Sequence, residues 1–184
     1  MKKTILILLL VLVAGTAFAG KIGGDAGASI LLGMPIGGET TTDSFVGYGA
    51  FVDYITTIGN DGKFEFAVGS RVDVCTNDID VAGFFLSGLV CTGVNVNISK
   101  SFSIYAMPGF GAYFVAGYKG NEGVQLNLLG LGFMTGLRYS IGGSGFLLSL
   151  NGSVIYPLSN LTAKEASEGT FLLTNVGLGV GVSF

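Results

Sequence analysis

Few residues in this chain of 184 could carry out chemistry. Histidine is absent, which removes Ser-His-acid triads and histidine-based metal sites. The two cysteines, Cys75 and Cys91, are too few for a structural zinc site. No glycine-rich loop of the phosphate-binding kind opens a helix, because the glycines separate strands or alternate within them. We therefore expect no enzymatic activity, no metal and no cofactor.

Charged residues within predicted strands form a second candidate site. They fall opposite an apolar face and include Asp53, Glu65, Arg71, Asp73 and Arg138. Two carboxylates can serve in acid–base catalysis, but buried charges are more often paired with each other. We predict an inward network in which Arg71 and Arg138 neutralise the acids. This prediction places Asp53 opposite Gly69, so that Arg71 is a diagonal neighbour.

The two cysteines could also form a disulfide. Cys75 and Cys91 share the inward phase, and each lies eight residues from Gly83. A hairpin that folds about Gly83 would place them opposite each other, and an oxidising compartment permits the bond. The alternative register turns at 77–80, runs the next strand from Val81 and keeps the thiols apart. We predict the disulfide.

These side chains require a sheet to position them, and the sequence predicts eight strands. Apolar residues repeat with a period of two, as along a strand whose two faces differ. Turn residues such as Gly59-Asn60-Asp61-Gly62 separate the segments. The predicted strands are 23–36, 45–58, 63–76, 89–98, 102–118, 124–141, 146–157 and 170–184.

Two positions interrupt the strand pattern. The apolar phase shifts between Leu128 and Leu129, which predicts a β-bulge there. Pro108 falls inside the fifth strand, where it cannot donate a backbone hydrogen bond. We expect a local kink at 107–109.

Composition distinguishes a membrane barrel from a soluble one. The chain is 49% hydrophobic and 11% charged, whereas soluble domains carry about 25% charged residues. The apolar residues are interleaved, and the apolar face of the predicted strands is free of charge, as in a transmembrane barrel. The alternative is a soluble secreted β-protein with its charges outward. The predicted mature chain has seven basic and twelve acidic residues, which argues against a nucleic-acid partner.

Both ends of the chain carry export features. Lys2 and Lys3, an apolar run at 5–13 and the small-x-small pattern ending at Ala19 indicate a cleaved signal peptide. We predict a signal peptide at 1–19 and one barrel domain at 20–184. The last strand has alternating apolar residues and ends on an aromatic one, namely Val176, Leu178, Val180, Val182 and Phe184. This ending resembles the insertion signal of outer-membrane barrels.

Signal peptide, eight alternating strands and terminal Phe184 together resemble the small bacterial outer-membrane β-barrel superfamily (OmpA/OmpX/OmpW-like). The resemblance implies an eight-stranded antiparallel transmembrane up-and-down barrel in the outer membrane of a Gram-negative-type bacterium. Its partners would be outer-membrane lipid and, through the last strand, the assembly machinery, and we expect a monomer. The expected role is structural, anchoring or surface interaction. The alternatives are a narrow pore, a binder of small apolar molecules, or the soluble secreted ligand-binding barrel.

Overall fold

The computed structural model describes residues 21–36, 44–59, 62–77, 83–116, 124–158 and 170–184. They form eight strands: β1 (Lys21–Ile36), β2 (Phe45–Ile58), β3 (Phe64–Asn77), β4 (Gly83–Asn97), β5 (Phe102–Ala116), β6 (Val124–Ser140), β7 (Phe146–Pro157) and β8 (Thr170–Ser183). Each strand pairs antiparallel with the next, and β8 pairs with β1, so the sheet closes. The predicted fold, an antiparallel up-and-down barrel of eight strands, is confirmed. Within these ranges no helix is long and apolar enough to cross a membrane.

The register of the closed sheet sets the strand tilt. Following paired residues once around the barrel from Gly23 leads back to β1 at Gly33, ten residues further along. With eight strands, this shift tilts each strand by about 40° to the barrel axis. Because a tilted strand crosses a bilayer with about 9–11 residues, every strand is long enough to span one.

The two ends of the barrel differ in their connections. One end, called here the short-turn end, carries the connections 59–63, 98–101 and 141–145 together with residues 21 and 184. The other, the long-loop end, carries the connections 37–44, 78–82, 117–123 and 158–169. The turn between β6 and β7 contains Gly142 and Gly143, whose φ angles of 54° and 72° favour glycine.

The two faces of the sheet have the predicted polarity. Apolar side chains point outward, for example Phe64 at 70% exposure and Leu178 at 68%. All charged side chains described within strands point inward and are buried, namely Asp25, Asp53, Glu65, Arg71, Asp73 and Arg138. Alternation therefore places every one of these charges in the barrel interior, as a membrane barrel requires.

Strand β4 differs from its prediction and changes the cysteine geometry. It begins at Gly83, six residues before the predicted start at 89. Cys75 consequently pairs with Phe85, and Cys91 pairs with Gly69. The six-residue offset separates the cysteines by about 20 Å along the strand direction, and both are free thiols. The predicted disulfide is wrong, and the pairing of Asn77 with Gly83 is close to the alternative register.

The bulge predicted in the sixth strand is confirmed. The β5–β6 register shifts between Gly111 and Tyr113, which pair with Gly130 and Asn127 and so leave one extra residue in β6. Leu129 takes up the irregularity with a φ of 68°, a left-handed conformation that is rare for leucine.

Pro108 keeps its strand in register. On the β6 side it pairs with Phe133, and on the β4 side the ladder has pairs at Gly109 and Ala106 but none between them. Proline has no amide hydrogen, so the β4–β5 ladder is interrupted locally without a shift in register.

Candidate functional site in the barrel lumen

The central feature of the lumen is a hydrogen-bonded cluster around Arg138. Its Nη2 donates to Asp25 Oδ2 at 2.8 Å and to Asp53 Oδ1 at 2.7 Å. Asn151 Nδ2 donates to Asp25 Oδ1 at 2.8 Å, and the Tyr105 hydroxyl donates to Asn151 Oδ1 at 2.6 Å. These five residues, which we call the Arg138 cluster, come from β1, β2, β5, β6 and β7, so the cluster crosses the whole lumen.

Arg71 forms a separate ion pair near this cluster. Its Nε and Nη2 donate to the carboxylate of Asp73, two residues along β3, with the shortest distance 2.7 Å. Its guanidinium lies 4.2 Å from the ring centroid of Phe51. Asp53 lies directly opposite Arg71 in the register rather than opposite Gly69, so that predicted pairing is wrong. Although Asp53 and Arg71 are opposite each other in the sheet, Arg71 forms its ion pair with Asp73, and Asp53 forms its ion pair with Arg138.

Glu65 lies nearer the short-turn end, where it lines the same cavity as Arg138. Asn95 Nδ2 donates to Glu65 Oε2 at 3.0 Å and to Asn97 Oδ1 at 3.1 Å. Asn97 Nδ2 in turn donates to the Gly62 carbonyl at 2.9 Å. Hydrogen bonds thus join Arg71 with Asp73, Arg138 with Asp25 and Asp53, and Glu65 with Asn95.

An aromatic cluster fills the lumen toward the long-loop end. The rings of Phe45 and Phe85 stack with centroids 4.5 Å apart, and Phe171 packs edge-on against Phe45 at 5.1 Å. Tyr113 reaches across from β5, where its hydroxyl donates to the Phe171 carbonyl at 3.0 Å. We call these four side chains the aromatic plug. They are at most 4% exposed, so the plug closes this part of the lumen.

The glycines of β8 make room for the large side chain of Phe51 on β2, two strands away. A Cβ at Gly177 would lie 2.5 Å from the Phe51 ring, and one at Gly179 would lie 2.8 Å from it. Contacts that short do not occur, so these positions accept only glycine while Phe51 keeps its place. The inward glycines therefore accommodate the Phe51 ring.

A cavity of about 170 Å³ opens at the short-turn end. Its walls include Thr57, Glu65, Asn95 and Ser103, with the aliphatic Ile55 and Leu147, and Arg138 also lines it. Two buried polar atoms there, Thr57 Oγ1 and Arg138 Nε, have no hydrogen-bond partner among the described residues. Because Arg138 belongs to the cluster that crosses the lumen, the cavity ends at that cluster.

The remaining predicted site residues lie on the outer wall or in the lumen. Val176, Leu178, Val180, Val182 and Phe184 all face outward and are 40–84% exposed. Cys75 and Cys91 are buried in the lumen, and the Cys75 thiol lies 3.6 Å from the Ser29 hydroxyl oxygen. Among the residues described, no group of three or more Cys, Asp or Glu side chains could hold a metal ion.

The sequence analysis left Asp25, Tyr105 and Asn151 out of the predicted network. All three have the inward phase of their strands. Alternation alone could therefore have indicated that the polar side chains of Asp25 and Asn151 point into the lumen. Alternation gives the face of a residue but not its partner across the lumen, and these contacts join strands that are not neighbours.

Solved structures with this architecture include outer-membrane proteins. Neisserial surface protein A matches with a TM-score of 0.64 and 14% identity over 90% of this chain and 99% of that one. Ail of Yersinia pestis, in complex with the heparin analogue sucrose octasulfate, gives a TM-score of 0.59 and 15% identity, with coverage of 90% and 99%. OprG of Pseudomonas aeruginosa gives a TM-score of 0.51 and 11% identity, with coverage of 90% and 96%.

The chain has the fold of the small outer-membrane β-barrels. This agrees with the resemblance seen in the sequence, and the match extends over nearly the whole of each compared structure. No protein-family profile and no curated protein matches the chain by sequence. At these identities the comparisons establish the architecture alone.

Proposed function

We propose that this protein is an integral outer-membrane barrel with a structural, anchoring or surface-interaction role. In this proposal, residues 1–19 are a signal peptide, and the apolar stripe that ends at Phe184 directs the last strand to the assembly machinery. The mature barrel, residues 20–184, is a monomer that holds its long-loop end at the cell surface.

The observation that carries this proposal is the polarity of the two faces. The described strands expose large apolar side chains outward, whereas their six charged side chains are buried inside. A soluble barrel would need the opposite arrangement. A Lys or Arg on a lipid-facing surface costs roughly 2–4 kcal/mol at the bilayer midplane. A barrel that lies in lipid is therefore expected to have an outer wall without charges.

A closed lumen supports an anchoring role over a pore. The Arg138 cluster spans the barrel from β1 to β7, and the aromatic plug fills it nearer the long-loop end. Eight strands enclose an interior just wide enough for side chains. An ion would have to displace both layers in succession.

The solved structures suggest which kind of surface role to test first. Ail is named for attachment and invasion and is seen with a heparin analogue, and Neisserial surface protein A is named for its surface location. By analogy of fold, we extend a surface-interaction role to this chain as part of the proposal.

Planar-bilayer recording tests the closed barrel. The mature chain is refolded in detergent, and its folded state is verified by a gel-mobility shift. It is then added to a planar bilayer, and a known open porin in a separate bilayer is the positive control. We expect no stepwise current. A steady conductance that scales with protein concentration would favour the pore instead.

Cell fractionation tests the location separately. The full chain is expressed in a Gram-negative host, and inner and outer membranes are separated on a density gradient. We expect a processed protein in the outer-membrane fraction. Recovery of soluble protein from the periplasm would reject the proposed location, whatever the conductance result.

A further inference from the structure

Two buried aspartates lie directly opposite each other in the lumen. Asp25 on β1 pairs with Asp53 on β2 in the sheet register, and both side chains are fully buried. Arg138 Nη2 donates to one oxygen of each, so a single nitrogen contacts both carboxyl groups. Like charges at directly opposite positions of a sheet repel each other, and two carboxyl groups that share one site do not readily ionise together.

The charges around this aspartate pair do not balance. Asp53 also lies opposite Arg71 in the register, but Arg71 forms its hydrogen bonds and its ion pair with Asp73. Arg138 is therefore the cation of the aspartate pair. With every group ionised, these five side chains would carry three negative and two positive charges. Because an uncompensated buried charge is costly, the count favours one proton on the pair.

The other neighbours of the aspartate pair do not supply a further positive charge. Asn151 donates to Asp25, and the Tyr105 hydroxyl donates to Asn151, but an amide and a phenol are neutral groups. On the other side of Arg138, the cavity wall carries Lys100 and Glu65, one charge of each sign. Among the described side chains, no cation other than Arg138 forms an ion pair with either aspartate.

The hydrogen bonds indicate which aspartate carries the proton. Both oxygens of Asp25 accept hydrogen bonds, Oδ2 from Arg138 and Oδ1 from Asn151. Asp53 accepts from Arg138 through Oδ1, whereas its Oδ2 is buried without a donor among the described residues. The two carboxyl groups lie within hydrogen-bond range of each other. Since a carboxylate only accepts, a hydrogen bond between them requires a proton on one of them.

We propose that Asp25 and Asp53 hold one proton between them in the folded barrel at neutral pH, with the proton on Asp53 and the negative charge on Asp25. Asp53 then donates to Asp25, and Arg138 balances the one charge that remains. The proton comes from solvent. Arg138 contacts both aspartates and also lines the cavity at the short-turn end, so only this side chain separates the pair from solvent there. This role goes beyond the anchoring function proposed above.

The shared proton predicts that the stability of the barrel falls as pH rises. In the unfolded chain both aspartates are ionised well above about pH 4, so at neutral pH the folded barrel binds one proton more than the unfolded chain. The folding equilibrium constant should then decrease about tenfold per pH unit from about pH 5 upward. This dependence ends at the pH at which the folded pair releases its proton, because neither state holds the proton above it.

Infrared spectroscopy of the refolded mature protein detects the proton directly. A protonated carboxyl group has a C=O stretching band that a carboxylate lacks, and at about pH 7 exposed carboxyl groups are ionised. We expect one such band from wild type in lipid vesicles. Asp53→Asn should abolish it, because the amide supplies the donor to Asp25 without a titratable proton. Glu65→Gln changes another buried carboxyl group of the lumen and should keep the band.

Urea unfolding of the same variants tests the pH dependence. Wild type should show the decrease of about tenfold per pH unit in its folding constant. Asp53→Asn should remove most of this slope, and so should Asp25→Asn, because each leaves a single carboxylate for Arg138. Glu65→Gln should retain the slope. Should Asp53→Asn fail the gel test for folding, the wild-type spectrum and Asp25→Asn decide the question.

Three results would overturn the proposal. Absence of the protonated-carboxyl band from wild type at about pH 7 would show that both aspartates are ionised. A band that persists in the Asn variants would place the proton on another group. An equal pH slope in wild type and the Asn variants would mean that the pair does not couple proton binding to folding. Each result is obtained on a barrel already folded in lipid, so it is independent of whether the barrel conducts ions or reaches the outer membrane.

Discussion

Arg138 is the residue on which the lumen depends most. It is the cation that joins Asp25 and Asp53, and both carboxylates have fully buried side chains. Removal of one partner of a buried ion pair lowers the free energy of unfolding by more than the intact pair contributes to it, because the remaining charge stays desolvated. Here two carboxylates would lose their shared cation at once.

We predict that Arg138→Ala destabilises the barrel by about 3–5 kcal/mol. Urea unfolding of the refolded protein in lipid vesicles, followed by the gel-mobility shift, measures the change. Lys100→Ala is the control, because Lys100 is an exposed cation at the short-turn end, and we expect little effect from it. Equal urea midpoints for wild type and Arg138→Ala would contradict the proposed role of the cluster.

The cysteines give a second prediction at this scale. Cys75 and Cys91 are free thiols with 2% and 1% exposure, so neither is open to reagent in the folded barrel. We predict two maleimide adducts per chain after unfolding without reductant and none before unfolding, counted by intact-mass spectrometry. An unfolded, unreduced chain that takes up no maleimide would show that a disulfide is present after all.

The predicted disulfide failed for a physical reason that applies to any hairpin. Alternation with a period of two tells which face a residue occupies, but a shift of register by an even number of residues keeps every face unchanged. A hairpin that folds about Gly83 and the observed pairing of Asn77 with Gly83 differ by such a shift. The same ambiguity placed Asp53 opposite Gly69 instead of Arg71. Faces could thus be predicted, whereas register depends on turn geometry and on closure of the whole barrel.

At the scale of elements, β8 closes the barrel. The Ile22 amide donates to the Phe184 carbonyl at 3.1 Å, and the Phe184 amide donates to the Ile22 carbonyl at 2.8 Å. The outward side chains of β8 are exposed, and in the proposed location they would contact the bilayer. The strand therefore contributes both backbone pairing and lipid contact.

We predict that Val180→Asp with Val182→Asp, or deletion of Phe184, prevents assembly in cells. The two substitutions place charge on a lipid-facing wall, and the deletion removes the last backbone pair of the seam. Outer-membrane abundance, measured by immunoblot of fractionated cells, reports the effect. Val180→Leu with Val182→Leu is the control and should assemble normally. Wild-type levels of the Asp variant would refute this role for the strand.

The bulge in β6 is the strained element of the barrel. Leu129 adopts a φ of 68°, which costs a residue with a Cβ about 1–2 kcal/mol relative to its usual conformations. Glycine adopts that backbone without the penalty, although it gives up the apolar side chain. The phase shift at 128–129 made this bulge predictable, because only an extra residue could keep both halves of β6 facing lipid.

We predict that Leu129→Gly is tolerated, with a change in unfolding free energy within about 1 kcal/mol of zero, because relief of strain offsets the lost side chain. Leu131→Gly is the matched control, since Leu131 also faces outward at 50% exposure but takes no positive φ. It should destabilise the barrel clearly. Equal losses in the two variants, measured by urea unfolding in vesicles, would mean that the bulge carries no strain.

At the scale of the whole molecule, the inward and outward faces require two different surroundings. The outer wall displays apolar side chains on all eight strands, from Phe64 on β3 to Leu178 on β8, and water would favour their aggregation. The lumen shields six charged side chains, together with the aromatic plug. These two requirements are satisfied together only when the sheet is closed and surrounded by lipid or detergent.

We predict that the mature chain folds only in detergent or lipid. The closed barrel resists unfolding in cold dodecyl sulfate, so an unheated sample should run faster on a gel than a boiled one. Far-ultraviolet circular dichroism of the same samples should show β-structure in lipid. An exposed apolar wall of this size is expected to associate in water. A monodisperse folded protein in plain buffer would therefore mean that the apolar wall is covered by something other than lipid. That result would favour the soluble barrel over the membrane barrel.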